Sequence, residues 1–251
     1  MKLLYFDLEH GSKTLGGPKD VEKIFGYPML ESGSWKEFTT TIKQLYSPVR
    51  VQAEVKLGNT IVKQEKTEIK PTNETEISGI VVDTVSELSK KYQRSLTLED
   101  GTMKLKEWGK LKNNLDKMLD MLTKIPGIVI MNCHSKTQHM DDGTMRLIPY
   151  IDGSSKEDIS KWFDFVFYTK AVTDLKGNST FMWRTQRTER YDNAKDRTQL
   201  LDAEIPQDYQ LVIDAVKKKG WKGAKILVIG DPGSGKTMSL KTINNERSLN
   251  A

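Results

Sequence analysis

The chain has 251 residues, 37% hydrophobic and 29% charged, with a formal net charge of +5 and a mean hydropathy of −0.55; this length carries one substantial core, and no shift in composition calls for a second domain. No apolar run approaches the ~20 residues that span a bilayer, and Asp7 interrupts Leu3-Leu4-Tyr5-Phe6 before a signal peptide could form, so a cytoplasmic location and no membrane partner are expected. The single Cys133 excludes an internal disulfide and a thiolate zinc cage, and the positive surplus leans only weakly towards an anionic partner.

Leu3-Leu4-Tyr5-Phe6 reads as a buried strand that runs into Asp7-Leu8-Glu9-His10-Gly11. Residues Gly11 to Gly33 read as loop, and Trp35 to Leu45 as a short helix ended by Ser47-Pro48. Val49, Val51, Ala53, Val55 and Leu57 alternate with polar residues up to Gly58-Asn59, and Thr60 to Ile69 returns. That predicts a β-hairpin over 49–70, plausible as an insertion, with Lys56, Lys63, Lys66 and Lys70 on an exposed edge. Ile80-Val81-Val82 is the next buried strand and ends on Asp83-Thr84. Leu111, Leu115, Met118, Leu119 and Leu122 form a helical core stripe. Strands follow at Ile128 to Met131 and, after a helical turn from Ile159, at Phe165 to Phe167. Strands alternating with helices predict an α/β fold with a mainly parallel sheet flanked by helices.

The last strand, Ile226-Leu227-Val228-Ile229, leads into Gly230-Asp231-Pro232-Gly233-Ser234-Gly235-Lys236-Thr237, which fits G-x-x-x-x-G-K-[ST]. Glycines in that spacing turn successive backbone N–H groups inward around phosphates, with Lys236 for the β/γ-phosphates, the Thr237 hydroxyl for Mg²⁺, and Met238 on the first helical turn. The expected ligands are therefore ATP and Mg²⁺. Asp83 is the candidate carboxylate for Mg²⁺, against a plain helix N-cap. Glu9 is the candidate general base for the attacking water, against the reading that Asp7 and Glu9 only close a loop. His134 and His139 with Asp141 and Asp142 have no specific metal-ligand spacing.

A phosphate loop this late in a chain leaves its partner groups upstream. In the order 222–251 and then 1–221, the sequence reads strand, phosphate loop, helix, acidic strand end, Asp83 strand, which predicts circular permutation, with Met1 and Ala251 close together; donation of residues 222–251 to a neighbour satisfies the same sequence.

Tyr5-Phe6-Asp7-Leu8-Glu9-His10-Gly11 resembles the strand end that carries the catalytic glutamate of RecA recombinases, and Ile80-Val81-Val82-Asp83-Thr84 resembles their Walker B segment. Ile130-Met131-Asn132-Cys133-His134 is similar to the strand end bearing their γ-phosphate sensor, with histidine as in phage relatives. Ala194-Lys195-Asp196-Arg197 looks like the K-x-R finger that reaches a neighbouring subunit's nucleotide, and Gly153 with Phe163 to Val166 adds to the likeness. The resemblance covers most of the chain in permuted order, except the hairpin, and points to the small RecA-like P-loop ATPases that phages encode beside single-strand annealing proteins. It implies Glu9, Lys236, His134, Lys195 and Arg197 as catalytic groups, filament or ring assembly, and action on single-stranded DNA, with an annealing or single-strand binding protein as a possible partner. Two DNA-contacting loops would lie near Lys90, Lys91, Arg94, Lys104 and Lys106, and over Ser135 to Arg146, with Tyr92 and Trp108 as the only aromatics; a solvated basic face is the plain alternative. A small-molecule P-loop kinase and a non-hydrolysing nucleotide-gated module are the competing functions.

Overall fold

The last strand of the chain lies inside its sheet. In a computed structural model, which describes residues 2–57, 60–71, 77–151, 158–173, 176–177 and 179–243, β12 (Ala224–Gly230) runs parallel to β6 (Ile128–His139) on one side and β8 (Phe165–Thr173) on the other. From β6 the parallel sheet continues through β5 (Ile77–Asp83) and β1 (Lys2–Asp7) to the short β2 (Leu30–Glu31). Beyond β8, β9 (Ser179–Arg184) and β11 (Glu204–Pro206) add antiparallel, β10 (Lys195–Asp196) pairs with β8, and β7 (Met145–Pro149) folds back on the outer half of β6.

The apolar runs are continuous because these strands are covered on both faces. Alternate residues divide between two cores. Leu4, Phe6, Ile80, Val82, Met131, Leu227 and Ile229 face one side, where α3 (Trp35–Leu45), α4 (Val85–Leu96) and α5 (Leu105–Thr123) pack through residues such as Ile42, Leu88 and Leu119. Leu3, Tyr5, Val81, Ile130, Ile226 and Val228 face the other, where α2 (Pro18–Phe25) and α6 (Tyr209–Lys218) contribute Val21, Phe25, Tyr209 and Val212. The fold is a mixed α/β sandwich around a mostly parallel sheet, the architecture of a P-loop NTPase. Among the described residues no helix is long and apolar enough to cross a membrane.

Parallel pairing aligns the C-terminal strand ends, and this positions the site. Gly230 is in register with His134, Asn132 with Asp83, and Asp83 with Asp7.

Three local expectations need correction. Residues 11–33 are not loop: α1 (Ser12–Leu15), α2 and β2 occupy much of the stretch, hidden by Gly16, Gly17 and Gly26, whose positive φ values end or separate these short elements. The stretch 135–146 is largely hairpin, because β6 runs on to His139 and pairs with β7; its exposed polar residues gave no apolar alternation. The helix after the phosphate loop is described only as α7 (Lys236–Ser239) and a 3₁₀ turn Leu240–Thr242, packed through buried Leu240 and Ile243. β3 (Tyr46–Leu57) and β4 (Thr60–Pro71) pair as a separate two-stranded sheet. Gly58-Asn59, Gly153 and the expected closeness of Met1 and Ala251 fall outside the described residues.

Candidate functional site

The phosphate loop begins where β12 ends. A Cβ on Gly230 would lie 1.6 Å from Thr169 Oγ1, so only glycine fits between β12 and β8 there, and Gly235 at φ 87° turns the chain into α7. Thr169 Oγ1 donates to Ser234 Oγ at 2.8 Å and Gln207 Nε2 donates to Ser234 O at 3.1 Å, holding the loop from the β8 side. On the β6 side, Ser135 Oγ donates to Asp231 Oδ1. Lys236 is buried, and its ammonium donates to Gly230 O and Asp231 O, both at 2.9 Å. Burial pushes its pKa down, against the pull of Asp83 and other nearby acidic groups.

Thr237 Oγ1 donates to Asp83 Oδ2 at 2.8 Å, although 154 positions separate them in the chain. Asp83 is 1% exposed and also accepts from Tyr5 OH and from Asn132 Nδ2, each at 3.0 Å. Burial raises its pKa, and the bonds from Asn132, Thr237 and Tyr5 oppose that rise. The N-cap of α4 is Thr84, whose Oγ1 accepts from Glu87 N at 3.3 Å, so Asp83 is not spent on capping.

Asp7 and Glu9 divide the work that the sequence left between them. Asp7 is buried and accepts the backbone N–H groups of Glu9, Gly11 and Ser12 at 3.3, 2.8 and 2.9 Å, which closes the turn after β1. Glu9 is left to project: its Oε1 accepts from Thr84 Oγ1 at 2.6 Å and lies 2.5 Å from His134 Nε2. Burial raises the Glu9 pKa, but hydrogen bonds from His134 and Thr84 outweigh it and leave the carboxyl below the usual glutamate range.

These groups open on one cavity of about 660 Å³, lined by Glu9, Thr84, His134, Lys236 and Thr237 together with Pro232 and Gly233 of the loop. Phosphate and Mg²⁺ suit this donor set. The Lys236 ammonium carries three N–H donors, of which backbone carbonyls take two, and a buried carboxylate beside a threonine hydroxyl is hard-oxygen chemistry matched to Mg²⁺.

Lys195 and Arg197 lie elsewhere. β10 pairs with the first residues of β8, at the end of the sheet remote from Gly230. Lys195 Nζ donates to Ser160 O at 2.7 Å, and Arg197 Nη1 donates to Asp164 Oδ1 at 3.1 Å. Burial, with Arg197 nearby, pushes the Lys195 pKa down to about 8. Lys90 is paired with Glu87 at 2.6 Å and Lys91 donates to Ser32 O at 2.9 Å, while Arg94, Lys104 and Lys106 are exposed. Tyr92 is buried against Trp35, which removes it as a base-stacking surface. Asp142 accepts from Thr144 N and Oγ1 and so closes the β6–β7 turn beyond His139 and Asp141.

Sequence reasoning missed Tyr5, Asn132, Thr84 and the wall formed by Gln207 and Phe181. Only the register beside Asp83 could have signalled Asn132.

A family model described as an AAA domain matches residues 1–198. No curated protein and no solved structure matches the chain.

Proposed function

We propose that this chain, which belongs to the AAA domain family and so to the nucleotide-binding ATPases, is a RecA-like ATPase in circularly permuted order that couples ATP hydrolysis to single-stranded DNA in recombination or repair. The observation that carries the reading is the meeting of Thr237, Asp83 and Glu9 at one cavity within one chain, which makes donation of the phosphate loop by a neighbour unnecessary. The permuted order is supported by β12 lying between β6 and β8, and by a family match that ends before the phosphate loop begins.

Each residue has a defined task. Lys236 and the loop N–H groups bind the β- and γ-phosphates; Thr237 and Asp83 hold Mg²⁺, which when bound neutralises phosphate charge. Glu9, ionised and oriented by Thr84 and His134, accepts the proton of the attacking water as the water oxygen bonds to the γ-phosphorus and the bond to the β-phosphate oxygen breaks, giving ADP and phosphate. His134 adjoins that proton acceptor at the root of the β6–β7 hairpin, where its carbonyl accepts from Tyr150 N at 2.7 Å. Tyr150 is exposed, and Lys90 and Lys136 lie 5.0 and 5.8 Å from its ring centroid. This basic, aromatic root supports nucleic acid as the anionic partner and gives nucleotide state a route to it.

Lys195 and Arg197 would serve a neighbour's nucleotide in a ring or filament after leaving Ser160 and Asp164, with an annealing or single-strand binding protein as further partner in a host cytoplasm. The test is the rate of ATP hydrolysis per chain against protein concentration, with and without single-stranded DNA. A rate that rises with both is expected. A rate indifferent to both, with phosphoryl transfer to a small acceptor, overturns the reading in favour of a kinase.

A further inference from the structure

Two large apolar side chains stand exposed in the cavity on the side away from Glu9. Phe181, on β9, is 36% exposed, and Met238, on α7, is 47% exposed. Isolated exposed apolar residues need no explanation, but these two flank the end of the phosphate loop from different elements. Phe181 lies against Gly235, where an added Cβ would stand 3.3 Å from its Cγ. Met238 follows Thr237 directly.

The polar groups between them carry no base code. Among the described lining residues the charged groups are Glu9, His134 and Lys236, all on the phosphate side. Thr242 Oγ1 is committed, accepting from Tyr209 N at 2.8 Å and donating to Ser239 O at 2.7 Å. The Gln207 amide is occupied by Ser234 O, and Ser179 Oγ pairs with Thr173 Oγ1 at 3.2 Å. Thr180 offers a hydroxyl, which donates or accepts with equal ease and so does not separate an exocyclic amine from a carbonyl.

We propose that Phe181 and Met238 form the nucleobase slot of this site, and that the slot grips a base by its faces without reading its edge, so that guanine is held about as well as adenine. A planar base takes dispersion and stacking from an aromatic ring and from a polarizable thioether whatever its edge carries. The inference rests on the nucleotide-binding reading above, and the choice of ligands keeps the two apart.

The experiment measures affinities of the full chain, with Mg²⁺, for ATP, GTP and inorganic tripolyphosphate, in the wild type and in Phe181→Ala, Phe181→Tyr and Met238→Ala. Losing one base–aromatic stack weakens binding about 5- to 100-fold. Phe181→Ala is expected to weaken ATP and GTP by that factor and to leave tripolyphosphate unchanged, which also reports an intact phosphate loop. Phe181→Tyr is expected to restore both nucleotides, Met238→Ala to act in the same direction as Phe181→Ala, and wild-type ATP and GTP affinities to agree within about fivefold. Tripolyphosphate binding as tight as ATP, or an equal loss of both in Phe181→Ala, overturns the slot while leaving the phosphate site standing. A preference for ATP over GTP above about 100-fold overturns the face-only grip. A chain that binds neither tripolyphosphate nor nucleotide removes the phosphate site and the slot together.

Discussion

Glu9→Gln isolates charge from shape. Glutamine keeps an oxygen able to accept from Thr84 Oγ1, as Glu9 Oε1 does at 2.6 Å, so the turn closed by Asp7 stays in place. What disappears is the anion that His134, 2.5 Å away, and Lys236 favour. Because the Glu9 carboxyl sits below its usual range, the wild-type group is fully ionised at neutral pH and ready to take a proton; an amide is not. A positioned base contributes about 10²- to 10⁴-fold, and at about 1.36 kcal/mol per decade that is ~3–5 kcal/mol of barrier. Binding moves the other way. Removing an anion beside the phosphates leaves nucleotide affinity unchanged or tighter, so the variant should hold ATP and turn it over slowly. Single-turnover quench experiments with protein in excess over radiolabelled ATP give the chemical step, and competition against a fluorescent nucleotide gives Kd. A single-turnover rate within about twofold of wild type would falsify the general-base assignment. A parallel collapse of rate and affinity would instead make Glu9 a structural residue of the pocket.

Lys236→Ala is expected to lose at least about 10- to 100-fold in ATP affinity, the cost of charge-assisted phosphate contacts. Its melting temperature should stay near wild type, because burial already disfavours the ammonium and its bonds go only to Gly230 O and Asp231 O; calorimetric titration and circular-dichroism melts check both. His134→Ala removes the hydrogen bond that most lowers the Glu9 pKa. The carboxyl pKa then rises, the ionised base is lost at a higher pH, and the acid limb of the kcat/KM profile moves up in pH; an unmoved limb counts against the contact. Asp7→Ala strips the acceptor from the N–H groups of Glu9, Gly11 and Ser12. At about 1–3 kcal/mol for each buried donor left unpaired, partly relieved by water, a loss of ~2–4 kcal/mol in urea unfolding is expected, together with slower turnover as Glu9 loses its support.

The phosphate loop was legible because its glycines and its strand are adjacent in sequence, and the strand ends at Asp83 and Glu9 were legible because each follows an unbroken apolar run. Tyr5 and Asn132 were not. Each sits within a strand among apolar neighbours, and its polar end acquires a purpose only when pairing brings Asp83 alongside. The roles of Asp7 and Glu9 are two residues apart and chemically identical in sequence, so only the direction of their side chains separates a loop acceptor from a group facing the cavity. The K-x-R pattern at Lys195 and Arg197 was legible as a motif, yet a one-dimensional pattern carries no information that Ser160 and Asp164 engage both cations. Phe181 was invisible because its strand is short and half polar, and its neighbour Gly235 is distant in the chain.

The central place of β12 also governs how the molecule comes to be built. A ribosome makes β6 and β8 long before the strand that joins them, so the nascent chain holds two half-sheets whose facing edges carry unpaired N–H and C=O groups over runs as sticky as Ile128 to Cys133 and Phe165 to Tyr168. Those edges await pairing of high sequence separation, which is slow to form and exposed to aggregation in the interval. Insertion of Ala224 to Gly230 then zips both edges at once, and the same step swings Gly230 to Thr237 into place beside Asp83. Maturation of the sheet and arming of the phosphate loop are therefore one event, and a molecule with a completed sheet carries an assembled loop.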